Sequence, residues 1–146
     1  MSHGPTLHLS WAELACKDGT PYPEQWRTNR VLPLAMEFET IRALCGSKPI
    51  RVLSAYRTPA HNARVGGSRY SEHVQGRALD LAPPAGISVL DFAELINTRA
   101  GHLDSWIRGI GVYAGFVHVD TRESDDVIRW IGSRLRSEGP RKGENE

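Results

Sequence analysis

Between Leu32 and Cys45 the apolar residues Ala35, Met36, Phe38, Ile41, Leu44 and Cys45 return at intervals of three and four, the spacing of an amphipathic helix. Gly46 supplies the stop, and the segment is the expected main core helix. Upstream, Ser10-Trp-Ala-Glu13 has the hydroxyl-then-carboxylate spacing of a capping box that opens a short helix. Gly19-Thr-Pro-Tyr-Pro23 then breaks the chain into a loop. Ile50 to Ala55 is a β-branched, apolar run and reads as a strand. Thr58 and Pro59 start a short helix that reaches Val65 and ends at Gly66-Gly67-Ser68. Ala78-Leu-Asp-Leu-Ala82 alternates like a second strand, halted by Pro83-Pro84, and Ser88 with Asp91 caps a helix to Thr98. Gly109 to Tyr113 and Phe116 to Asp120 read as two strands joined by a tight Ala114-Gly115 turn.

Helices first, then an antiparallel sheet with helices on one side, make an α+β layout. At 146 residues the chain fits one domain, expected over residues 1–135. The charged, Gly- and Pro-bearing residues 136–146 are an expected disordered tail. A chain of this length buries enough surface to need no disulfide staples. Cys16 and Cys45 are accordingly read as small buried hydrophobes in a reducing compartment. The net charge of +1 draws the protein toward neither nucleic acid nor an acidic membrane, and no basic stripe with interleaved aromatics is present. No apolar run approaches the roughly 18 residues of a membrane span. The segment MSHGPTLHLSW lacks the pattern of a secretory signal, so synthesis in the cytoplasm is predicted, with any substrate beyond the membrane reached by separate delivery.

Polar residues interrupt the two most regular strands. Period-2 geometry sets Asp80 on the face opposite Leu79 and Leu81, and sets His118 and Asp120 opposite Val117 and Val119. Side by side, such strands could aim Asp80 and His118 at one point. His73 lies seven residues before Asp80, and Gly76 between them lets the loop fold the imidazole back. Two imidazole nitrogens and a carboxylate oxygen form a borderline-soft set suited to zinc, and three protein ligands leave a fourth tetrahedral position open. Such a metal lowers the pKa of water and polarises a peptide carbonyl. Singly, each residue has an ordinary reading: a hydrogen-bonded histidine, or an aspartate closing a turn or paired with arginine. The ordered combination distinguishes a site.

Ser71-x-His73-x-x-Gly76-x-Ala78-x-Asp80, followed later by Val117-His118-Val119-Asp120, resembles the zinc D-Ala-D-Ala carboxypeptidase family, which belongs with the lysostaphin-type and hedgehog-type zinc domains. Ser54-Ala-Tyr-Arg57-Thr-Pro-Ala-His61-Asn62 is similar to the S-G-Y-R-[ST]-P-x-H-N segment of that family. Gly66-Gly67, Gly111-Val-Tyr113 and Glu13-Leu-Ala-Cys-Lys-Asp-Gly19 resemble its phage-associated branch, so the likeness covers residues 8–131. It implies a hedgehog/DD-peptidase-like fold and one zinc ion held by His73, Asp80 and His118. Arg57 matches the arginine that stabilises charge on the substrate carbonyl or the developing oxyanion, a plain salt bridge being the alternative. Ser71 either binds substrate or fixes the ligand loop, and Tyr113 either lines a substrate groove or packs at the core edge.

Many members carry an acidic general base three residues before the last histidine, where this chain has Gly115. Asp120 is the nearest replacement, as base or as the carboxylate that orients a ligand histidine. Glu72 is the weaker alternative, pointing away from His73 if the loop is extended. His61 and Asn62 are read as helix-start hydrogen-bonding residues rather than pocket wall, and His3, His8 and His102 as facing solvent. The implied activity is a monomeric zinc peptidase that hydrolyses a peptide bond in peptidoglycan stem peptides, as a carboxypeptidase or a murein endopeptidase of endolysin type, released through a holin or carried in a phage particle. A catalytically inactive zinc-containing binding domain is the alternative.

Overall fold

A computed structural model describes residues 3–132; the segment 136–146, expected as a tail, lies outside the described residues. Helix α1 (Trp11–Leu14) opens on the expected capping box, in which Ser10 Oγ accepts from the Glu13 amide and the Glu13 carboxylate accepts from the Ser10 amide. A short 3-10 turn at Glu24–Trp26 leads into α2 (Val31–Leu44). Leu34, Ala35, Phe38 and Ile41 of α2 are buried, while Met36 and Leu44 at the edge of the stripe are 57% and 47% exposed. After β1 (Val52–Ser54), Thr58 caps α3 (Pro59–Arg64) through the His61 amide. Then follow β2 (Ala78–Leu81), α4 (Val89–Ala100) capped by Ser88, and β3 (Gly109–Val112), β4 (Val117–Asp120) and β5 (Ile128–Ile131).

The five strands lie in the order β1-β2-β4-β3-β5, so the fold is α+β as expected. The sheet is mixed rather than antiparallel: β5 pairs in parallel with β3 while the other pairings are antiparallel. The alternation that marks a half-buried strand is faint in Ile128-Arg-Trp-Ile131, because this edge strand is largely exposed and has no core face to enforce it.

Leu79 and Leu81 of β2, Ile110 of β3 and Val117 and Val119 of β4 join Phe38 and Ile41 of α2 and Phe92 and Ile96 of α4 in one core. Asp80, His118 and Asp120 are thereby turned to the other face. Residues Ala78↔Asp120 and Asp80↔His118 pair directly across β2 and β4, and His118↔Gly111 and Asp120↔Gly109 across β4 and β3. A one-residue slip would put a carboxylate and an imidazole into the hydrocarbon core, so the apolar face fixes the register that aligns the polar one.

Two polar residues depart from their expected surroundings. His8 does not simply face solvent: its backbone amide and Nδ1 both lie 2.7 Å from the Glu39 carboxylate. Glu37 of α2 is 2% exposed. Its carboxylate accepts a two-pronged bond from Arg99 of α4 at 3.0 and 2.9 Å and another from the Trp106 amide at 3.0 Å. This acid ties α2 to α4 and to the loop that feeds β3, and leaving it unpaired would strand a buried charge. Arg99→Ala is therefore expected to destabilise the fold by about 3–5 kcal/mol in denaturant titration. Asp104→Ala, which removes an 82% exposed partner of the same arginine, is expected to cost less than about 1 kcal/mol. Equal effects would rule out this account of Glu37.

Candidate metal centre

His73 stands in a series of tight turns rather than an extended loop: the amides of Val74, Gly76 and Arg77 donate to the carbonyls of Ser71, His73 and Glu72. Gly76 makes the bend in the left-handed region, at φ +69°. Its carbonyl accepts from Tyr22 Oη at 2.6 Å, and a side chain at this position would strike the Trp26 ring. The turn returns the imidazole to the sheet as the sequence implies. Ser71, buried, accepts from the His73 amide at 3.1 Å, so its hydroxyl fixes the ligand loop.

His73, Asp80 and His118 converge. Asp80 Oδ1 lies 3.1 Å from His73 Nε2 and 3.0 Å from His118 Nδ1, and the three side chains are 0–3% exposed. What surrounds each ring decides which nitrogen faces inward. His73 Nδ1 is 2.6 Å from the Ala55 carbonyl, which can only accept, so Nδ1 carries the proton and Nε2 presents its lone pair. His118 Nε2 is 2.7 Å from Asp120 Oδ2, which likewise holds the proton on Nε2 and turns the Nδ1 lone pair inward. With both rings neutral, as zinc takes them, two lone pairs and a carboxylate oxygen point at one another in a buried site. Acceptors repel unless a positive charge lies between them, and each is costly to bury unsatisfied.

The donors fit zinc. Tetrahedral bonds of about 2.0–2.1 Å to nitrogen and oxygen place ligand atoms ~3.3 Å apart, close to the spacing here. The outer partners are those a zinc histidine needs, a carbonyl for one ring and a carboxylate for the other.

Asp120 is itself fully buried and saturated. Oδ2 accepts from His118 and from Arg122 Nη2 at 2.7 Å, and Oδ1 from the Arg122 amide at 3.1 Å and Nε at 2.9 Å, which occupies roughly all four of its lone-pair directions. Arg122 escapes detection in the sequence because nothing in its spacing separates it from any surface arginine. The glycines of β3 belong to the same arrangement. A Cβ at Gly109 would overlap the Asp120 carboxylate, and one at Gly111 the Trp130 ring, which lies 5.2 Å from the His118 ring. Gly-x-Gly in this strand, poor by propensity, leaves room for Asp120 of β4 and Trp130 of β5.

Arg57, 5% exposed, reaches from the chain after β1 to Asp80 Oδ2, with Nη2 at 3.6 Å. Ser54 Oγ accepts from its Nε at 3.1 Å and Asn62 Oδ1 from its Nη1 at 3.2 Å. Asn62 is thus a brace for the guanidinium, and His61 lines the adjoining cleft. The helix-start reading accounts for the His61 backbone but misses both side chains, one bound to Arg57 and the other lining the cleft. The cleft, about 270 Å³, is lined by Lys17, Arg57, His61, Phe116 and Asp80. Tyr113 stacks on Phe116 at 4.6 Å, and its hydroxyl accepts from Trp130 Nε1 at 2.9 Å. Gly115 is exposed, with open space where a side chain would begin.

Burial opposes charge throughout the centre, and hydrogen bonding overcomes it. Burial would raise Asp80, yet the two imidazoles hold its carboxyl well below the usual carboxylate range. Burial would raise Asp120 too, and its bonds from Arg122 and His118 hold it down. Burial would lower His118, but the bonds to Asp120 and Asp80 push it up to about 9. The half-buried Glu72 is pushed up by burial and then by the charge of Asp120, and the loop that carries it is turned rather than extended.

Residues 7–120 match the peptidase M15 family. The chain therefore belongs to that family, the zinc D-Ala-D-Ala carboxypeptidase type, whose members are zinc metallopeptidases. No curated protein matches the chain.

Zinc takes neutral imidazole, whereas without metal His118 holds an extra proton below about pH 9. Chelator-stripped protein is therefore expected to release about one proton per zinc at neutral pH, with log affinity rising about one unit per pH unit until that value. Calorimetry in buffers of different ionisation enthalpy measures this; pH-independent binding would contradict the assigned geometry.

Proposed function

We propose that this protein is a zinc-dependent peptidase of peptidoglycan stem peptides, acting as a monomer near a free carboxyl terminus. The observation that supports this reading is the short cleft, lined by Lys17 and Arg57, that reaches Asp80 of the three-residue centre. At about 270 Å³ it lies just below the roughly 300–1,000 Å³ of ligand pockets, and suits a short peptide with small side chains. Lys17, Arg57 and His61 line it, with Asp80 as its acid. A peptide bearing a terminal carboxylate, such as one ending in D-alanine, complements that charge.

His73, Asp80 and His118 would hold the zinc. The ion supplies Lewis acidity toward a peptide carbonyl and acidifies water at neutral pH. The remaining chemistry falls to the chain. Arg57 has its position set by Ser54 and Asn62, and its fixed charge at the cleft supports a role in stabilising negative charge that develops on the carbonyl oxygen. Asp120, saturated by His118 and Arg122, acts as a positioning residue that keeps His118 Nδ1 aimed inward. Glu72 is then the neighbouring carboxylate left for proton transfer. Ser71 and Tyr113 shape the site from behind, one through the ligand loop and the other through Phe116. The resemblance to phage-associated members suits a setting in which the chain reaches the wall by release or within a particle.

Defined muropeptides incubated with the zinc-loaded protein and analysed by mass spectrometry test the proposal. The expected product is the stem peptide shortened by one alanine, with turnover abolished in His118→Ala. Arg57→Ala is expected to lower kcat about 10²–10³-fold while zinc content is kept. Products cut at an internal cross-bridge would reassign the bond, and stoichiometric zinc with no product from any muropeptide would favour a binding domain.

A further inference from the structure

A second group of metal-binding side chains stands at the lip of the cleft, apart from the centre above. Cys16, Asp18 and His61 each offer a ligand atom, and the three atoms lie within 4.8 Å of one another. The local structure brings them there deliberately from two segments. The Cys16 amide donates to the Thr20 carbonyl at 2.8 Å and the Gly19 amide to the Cys16 carbonyl at 3.0 Å. With Gly19 at φ +96°, this tight turn projects Cys16 and Asp18, two residues apart, toward the first turn of α3. Thr58, the cap of α3, locks the two pieces together: its hydroxyl donates to Asp18 Oδ2 at 2.8 Å and accepts from the His61 amide at 3.1 Å.

We propose that Cys16, Asp18 and His61 bind a second divalent cation of the zinc class, fastening the 16–20 turn to α3. A thiolate, a carboxylate and an imidazole form a mixed, borderline-soft set that favours zinc over magnesium or calcium. Cys16 is 3% exposed and unpaired with Cys45, and its Sγ lies within 4.8 Å of an Asp18 carboxylate oxygen. No hydrogen bond is made by either His61 ring nitrogen among the described residues. The other groups on Asp18 are compatible with a cation. Thr20 and Thr58 use one direction on each oxygen, and Arg64, at 3.9 Å, has a side chain 62% exposed and free to swing away. Because Lys17 sits inside the turn and His61 on the helix, and both line the cleft, the clamp would set the spacing of the cleft walls.

The site is independent of the peptidase reading, and sulfur separates the two experimentally. Cobalt(II) titrated into chelator-stripped, reduced full-length protein is expected to bind at two equivalents and to give a near-ultraviolet sulfur-to-cobalt charge-transfer band. Cys16→Ser, or Cys16→Ala if the serine variant folds poorly, is expected to lose the band and one equivalent. His61→Ala should weaken both. His118→Ala is expected to keep the band while losing the other equivalent, since the first centre contains no sulfur. A wild-type protein with one equivalent and no band, or a band that survives Cys16 replacement, would overturn the proposal.

Discussion

Two imidazole nitrogens and a carboxylate oxygen meet in a buried site beside the cleft, and much of the architecture serves to hold them there. Each would be satisfied more easily at the surface. What keeps them together is the register of β2 on β4, which sets Asp80 directly opposite His118, and the turn at Gly76, which brings His73 over the same spot. The groups behind them then fix the rings: the Ala55 carbonyl for His73, and Asp120 with Arg122 for His118. Even the glycines of β3 follow from this demand for room.

The apolar face of the sheet and the polar face are two readings of one alternation. Leu79, Leu81, Val117 and Val119 anchor the strands to α2 and α4, and the residues between them are thereby committed to the opposite side. Stability and chemistry are coupled: whatever secures the core against α2 and α4, including the buried Glu37–Arg99 pair, also keeps the ligand strands in register. The cleft depends on a different joint, where α3 and the 16–20 turn meet, and there the contacts are largely polar.

The parts of the fold legible in the sequence were those with strong local periodicity or punctuation. Capped helices at Ser10, Thr58 and Ser88 and the alternating strands around Asp80 and His118 came through because hydroxyl caps and period-2 patterns are local signals. Strand β5 did not, since an exposed edge strand imposes no alternation. The convergence of His73, Asp80 and His118 was readable only as a composite of spacing and resemblance. The parts played by Arg122, Glu37 and the Asn62 side chain were not readable, because each rests on a side-chain bond or a burial that no local pattern marks, and a polar side chain in isolation reads as surface. The extended loop on which the reading of Glu72 depends is replaced by the turns of residues 71–76.

Anomalous diffraction at the zinc edge from crystals of the zinc-loaded protein tests the central claim most directly. At this centre a strong peak is expected about 2.0–2.2 Å from His73 Nε2, from an oxygen of Asp80 and from His118 Nδ1, with His118 Nε2 still on Asp120. A zinc peak absent from this position, or one bound by His118 through Nε2 with Asp120 displaced, would contradict the account.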